Sequence, residues 1–161
     1  MKRLISVAIC LFMPWLIHAQ KKPGEAASIK SVEIKGVIKP GAEVTAVIDV
    51  AVEKDYHTHS NKPSEPNYVP TVLTLIPPAD VKVGRIKYPE GKSEKVKDLD
   101  KPLSVYEKQF QISVPLTVSK DAALPLTVPA TLTYQACQGA VCYRPEKLKF
   151  EISLKPAGPK K

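Results

Sequence analysis

Cysteine is scarce in this chain, with three residues in 161. Cys10 lies in an apolar leader, so only Cys137 and Cys142 remain behind it. A domain of this length can bury a core and folds without a disulfide framework. No apolar run after residue 19 approaches the roughly 20 residues of a spanning helix, so the mature domain is expected to be soluble. No cysteine follows the leader directly, so the leader is not a lipoprotein signal. Amphipathic segments of helical period are missing, and so is any internal repeat. Absent too is a concentrated basic patch interleaved with aromatics. Lys82, Arg85, Lys87, Lys92, Lys95 and Lys97 are spread among acidic residues, as on solvated strand faces, so no nucleic-acid partner is expected.

The leader has the form of a secretory signal. Lys2 and Arg3 precede an uncharged apolar stretch from Leu4 to Ile17, and Ile17-His18-Ala19 ends on a small residue before Gln20. The stretch is too short to span a bilayer and Pro14 interrupts it. Removal of residues 1–19 leaves 142 residues with 22 Lys and Arg against 16 Asp and Glu, a net charge of +6. That is one exported domain, expected over 29–154, with loose ends at 20–28 and 155–161.

What is present is a period of two. Val44, Ala46, Ile48, Val50 and Val52 share one face of a strand. Leu148, Phe150, Ile152 and Leu154 alternate with Lys147, Lys149, Glu151 and Ser153 in another. Ile29–Ile34, Thr71–Ile76, Val81–Tyr88, Val105–Val114 and Leu126–Tyr134 read as further strands. Proline is abundant, 16 residues, or about twice the usual ~5%. Pro63, Pro66, Pro70, Pro77, Pro78 and Pro125 punctuate segment ends, and Pro115 and Pro129 point to strand ends or edge strands. The expected fold is all-β: an immunoglobulin-like sandwich of two sheets with seven to eight antiparallel strands.

The chemistry concentrates in Tyr134-Gln-Ala-Cys137-Gln-Gly-Ala-Val-Cys142-Tyr-Arg-Pro145. One strand enters and another leaves, so the cysteines flank a hairpin-like turn in which Gly139 supplies a positive φ. Four intervening residues allow Cα atoms about 5.5 Å apart, within reach of a disulfide, and an exported pair is free to form one. Such a bond closes a loop worth only about 2 kcal/mol in the chain-entropy model, a weak staple for a domain of this size. A structural bond and a redox-active one both remain open at this point. His57 and His59 could join the cysteines around a metal. On a strand, however, His-x-His lacks the usual ligand spacing and reads as polar surface, so neither metal nor cofactor is expected.

The segment Tyr-Gln-Ala-Cys-x4-Cys followed by proline and an alternating last strand resembles the N-terminal periplasmic domain of the thiol:disulfide interchange protein DsbD. Tyr56-His-Thr-His-Ser60-Asn-Lys-Pro63 is similar to that family's aromatic-His-x-aromatic-Ser segment, and Tyr88-Pro-Glu-Gly91 to its strand and turn. The resemblance implies an immunoglobulin-like domain whose Cys137 and Cys142 exchange with partner thiols. Reducing equivalents would come from a membrane-embedded thiol reductase and pass to thioredoxin-fold periplasmic proteins. It also implies a cap loop over the pair, aligned here on Asp98 and Leu99, where the family places a Phe. Tyr106 and Arg144 stand beside the pair as candidate modulators; many members carry a neutral residue at the position of Arg144. The spacing is one residue shorter than in the best-known member. No membrane domain follows in this chain, so the donor would be a separate protein. The expected function is therefore a monomeric periplasmic thiol–disulfide exchange module. A non-enzymatic sandwich that binds a partner and carries a structural disulfide is the alternative.

Overall fold

In a computed structural model the chain is described at Lys22, Glu25–Lys97 and Leu99–Pro156. The expected signal peptide, Asp98 and the last five residues lie outside these. The described residues form twelve strands and no helix. The first is β1 (Ala27–Lys35), followed by β2 (Glu43–Val52), β3 (His57–His59), β4 (Val72–Leu75), β5 (Val81–Val83) and β6 (Lys92–Glu94). Then come β7 (Leu103–Glu107), β8 (Gln109–Val118), β9 (Leu126–Tyr134), β10 (Ala136–Gln138), β11 (Val141–Cys142) and β12 (Glu146–Leu154). Order begins before the expected boundary at Ile29: Ala26 is buried and its carbonyl accepts from the Glu53 N–H.

All pairing is antiparallel, in three sheets of order β1-β2-β8-β5, β11-β10-β3-β7-β6 and β12-β9-β4. The all-β expectation holds, but the count rises from seven or eight strands to twelve, and from two sheets to three. The long strands build the core mainly by alternation, and Val47 of β2 is buried on the other face as well. Val44, Ala46, Ile48 and Val50 stand opposite Leu116, Val114, Ile112 and Phe110 in the β2–β8 register, and all eight are buried. Leu73, Val128, Ala130, Leu132, Ile152 and Leu154, from β4, β9 and β12, pack into the same cluster. Each Val, Leu, Ile or Phe among these contributes roughly 1.5–3 kcal/mol by leaving water, so this cluster carries the stability.

The expected strand Val105–Val114 is two strands. Lys108, at φ 55°, turns the chain between β7 and β8, which belong to different sheets. Val81–Tyr88 shortens to β5 for a related reason. Gly84 N donates to the Pro115 carbonyl, but Pro115 has no N–H to return, so the β5–β8 ladder stops there. Pro115 and Pro129 thus sit inside central strands rather than at sheet edges. Each faces the point where a neighbouring strand ends, with Gly84 and Ile76 donating to their carbonyls.

The sheet β11-β10-β3-β7-β6 carries both cysteines and both histidines of the His-x-His. Its middle is fixed at Ser60, whose N–H donates to Ser104 O (2.9 Å) and whose Oγ lies 2.8 Å from Ser104 Oγ. Gly91 lies against this junction, and a Cβ there would collide with Ser104 Oγ and Ser60 Cβ. Gly91→Ala should therefore destabilise the domain by about 1–3 kcal/mol, as overpacking does. Urea unfolding of both proteins measures this, and equal midpoints would show that the junction has room.

Candidate functional site

The site is set by pairing register. Cys137 and Cys142 are direct partners across β10 and β11, with Cα atoms 4.0 Å apart. This is closer than the ~5.5 Å expected for a disulfide, because the two are a non-hydrogen-bonded cross-strand pair beside the Tyr143 N–H to Ala136 O bond, and such pairs stand about 4.5 Å apart. They are joined by a disulfide. Gly139, at φ 57°, makes the turn between them, with nothing within 4 Å of its missing side chain. On its other side Cys137 pairs with His57 of β3. Opposed residues share a face, and so do residues two apart on one strand. His57, His59, Cys137 and Cys142 therefore all point to one side of the sheet.

His59 is the residue brought against the sulfurs. Its Nε2 is 3.5 Å from Cys137 Sγ and 3.8 Å from Cys142 Sγ. The ring of Tyr68 stacks on it, with centroids 4.4 Å apart and planes 14° from parallel. Thr71 holds the returning loop by donating its hydroxyl to His59 O at 2.6 Å. His57, next on the same face, places Nδ1 3.2 Å from Glu94 Oε2. The expectation that these histidines form polar surface is corrected, since both are buried, His59 completely. β3 is an interior strand, and the loop with Tyr68 covers the ring. The cysteines are unequal as well: Cys137 is fully buried and Cys142 exposed.

Burial makes both rings harder to protonate. His59 is lowered to about 4, first by desolvation and then by nearby His57. His57 is also lowered by desolvation, partly opposed by Glu94 and Glu107. Both are neutral near pH 7. His59 Nδ1 is buried without a hydrogen-bond partner among the described residues.

The other residues singled out from the sequence lie further off. Arg144 is exposed, and among the described residues nothing ties it to the sulfurs. Tyr106 pairs with Thr58, whose side chain points to the face opposite the histidines. It stacks on Phe110 at 4.3 Å, and its hydroxyl lies 2.7 Å from Asn61 Oδ1. Its link to the site runs through the β3 backbone. Leu99 is at the surface, sharing a shallow cavity with Tyr68, Glu65 and Leu103, and the Lys101–Glu65 ion pair (2.9 Å) joins the two segments lining it. Asp98 lies outside the described residues. The sequence alone suggests His59 beside the cysteines only as a metal ligand, a reading set aside above, and gives no sign of Tyr68. The spacing His57-x-His59 was the available signal, but only long-range pairing shows which face it joins.

The depressed histidine has a measurable consequence. Between about pH 6.5, the ordinary histidine value, and about 4, the unfolded chain holds a proton on residue 59 that the folded chain lacks. Stability is therefore complete above the unfolded value and falls as pH drops through this window. His59→Gln should remove part of that slope, on the order of 2 kcal/mol. Denaturant unfolding of both proteins from pH 7.5 to 4 measures it; parallel curves would mean that the ring titrates normally.

Comparison with known proteins places this geometry. Residues 26–154 match the family described as thiol:disulfide interchange protein DsbD, N-terminal. No curated protein sequence matches the chain significantly. Among solved structures, the N-terminal periplasmic domain of ScsB from Proteus mirabilis is 16% identical with a TM-score of 0.53, covering 87% of this chain and 52% of that one. The reduced DsbD N-terminal domain of Neisseria meningitidis is 20% identical, covering 80% of this chain and 92% of that one, with a TM-score of 0.46. A complex between the DsbD and PilB N-terminal domains of the same organism gives 18%, 80%, 91% and 0.43. With an immunoglobulin-like all-β fold and a cysteine pair on its β10–β11 hairpin, the chain belongs to the DsbD N-terminal domain family.

Proposed function

We propose that this domain is a periplasmic thiol–disulfide exchange module, exported by residues 1–19. It takes reducing equivalents from a membrane-embedded thiol reductase on a separate chain. It passes them to thioredoxin-fold proteins through Cys137 and Cys142, working as a monomer. The observation that carries the reading is the asymmetry of the pair: Cys142 exposed at a hairpin end, Cys137 buried against His59. The DsbD domain of Neisseria meningitidis has a protein partner in the PilB N-terminal domain, and a partner protein is proposed for this domain too.

In the accepting direction a partner thiolate attacks Cys142 Sγ, the sulfur at the exposed residue. A bond forms between partner and Cys142, the Cys137–Cys142 bond breaks, and Cys137 leaves with the electron pair. The partner's second thiolate then attacks the mixed disulfide at the partner sulfur and releases Cys142. The partner ends as a disulfide, and the domain as a dithiol that has gained two electrons and two protons. In the donating direction the same steps run backwards, with Cys142 attacking and Cys137 resolving. A buried thiolate on Cys137 is costly unless it is hydrogen-bonded. His59 Nε2, at 3.5 Å, is placed to donate to it, and the new negative charge makes the ring easier to protonate. Tyr68 keeps water from that ring. Leu99 is proposed to extend the same cover as part of a cap loop with Asp98.

The exposure difference sharpens a trapping experiment. Cys137→Ser leaves Cys142 able to attack and nothing to resolve the product. It should accumulate a dithiothreitol-sensitive adduct with a partner carrying a thioredoxin-type Cys-x-x-Cys after rapid acid quenching of periplasmic extract. Cys142→Ser, left with the buried thiol, should trap at least tenfold less, and the double variant none. Absence of adduct from both single variants would favour a binding module with a structural bond.

A further inference from the structure

The arrangement around His59 also suits a metal once the disulfide is opened. His59 Nε2, Cys137 Sγ and Cys142 Sγ all lie within 4.8 Å of one another. A tetrahedral zinc ion with bonds of about 2.3 Å to sulfur and 2.0–2.1 Å to nitrogen sets nitrogen–sulfur edges of about 3.6 Å. The two such edges here are 3.5 and 3.8 Å, so the imidazole already stands at ligand distance from both sulfurs. Only the sulfur–sulfur edge is missing, because these sulfurs are bonded to each other and are not thiolates.

We propose that reduction converts this cluster into a zinc site, with His59 Nε2, Cys137 Sγ and Cys142 Sγ as three ligands and the fourth position open toward solvent. A dithiol or phosphine reductant supplies two electrons and is itself oxidised, and two protons make the cysteines thiols. Zinc then displaces both thiol protons without changing its own oxidation state. Two thiolates and an imidazole leaving one position open is a recognised zinc ligand set. The buried Cys137 and His59 give a dry interior side, while exposed Cys142 gives the entry path. His57 stays outside the set: the ligand atoms that lie within 4.8 Å of one another are those of His59, Cys137 and Cys142, and His57 Nδ1 is turned toward Glu94, 3.2 Å away. Zinc so held would keep both sulfurs from attacking a partner, making metal and partner disulfide alternatives at one site. The site needs only that the bond be reducible, so its test does not depend on the exchange reading.

The test uses the mature protein, reduced anaerobically with a phosphine, and zinc alone titrated against a chromophoric chelator. About one equivalent should bind to the reduced protein and less than a tenth to the oxidised one. Cobalt(II) alone should give thiolate charge-transfer bands and the visible bands of tetrahedral coordination. His59→Gln should weaken zinc binding at least tenfold and change the cobalt spectrum. Cys142→Ser, at an exposed position outside the core, should abolish stoichiometric binding with the β-type circular dichroism intact, and it decides the matter should the buried His59 variant not fold. The proposal is overturned by no stoichiometric zinc on the reduced protein, by equal binding to the oxidised one, or by unchanged affinity in folded His59→Gln.

Discussion

The position of β3 between β10 and β7 is the constraint on which the site depends. Three residues, His57–His59, carry it, paired on one side as Cys137↔His57 and on the other as His59↔Val105. A slip by one residue would turn both imidazoles to the far face and bring Thr58 toward the sulfurs. Such a short strand cannot hold its register by alternation alone. It is held instead at its end by the Ser60–Ser104 bonds, by Thr71 on the His59 carbonyl, and by the Tyr106 hydroxyl on Asn61. Gly91 is required where these groups crowd together.

The molecule thereby separates what keeps it folded from the cysteine pair. The large core belongs to β2 and β8 on one side and to β4, β9 and β12 on the other. The cysteines sit on another sheet, on a two-strand hairpin. Its closed loop is worth about 2 kcal/mol, a modest part of the roughly 5–15 kcal/mol that holds a domain together. Such a bond can open and close without unfolding its carrier, a condition that a redox centre must meet and a structural staple need not.

Much of this was legible from residue pattern, and the reason is length. β2, β8, β9 and β12 each run nine or ten residues, enough alternations to declare a strand and its buried face. β3, β6, β10 and β11 have two or three residues each and no period to read; they exist because neighbours pair with them. The cysteine pair and Gly139 were visible through spacing and turn chemistry. His59 is legible as a possible partner of the cysteines but reads as polar surface, since the sulfurs it meets lie 78 and 83 positions away. Burial of the His-x-His is a tertiary effect that no local pattern reports, and so is the Tyr68 ring stacked on it.

The proposed exchange and the proposed zinc site both rest on a neutral, buried imidazole beside one hidden and one exposed sulfur. Exchange requires the bond to be reducible by partners of ordinary potential. The most direct measurement is therefore the reduction potential of Cys137–Cys142, by equilibration in graded dithiol–disulfide buffers and alkylation of the free thiols. A value above about −300 mV is the expected result. A value well below it would mark the bond as a structural staple and contradict an exchange role.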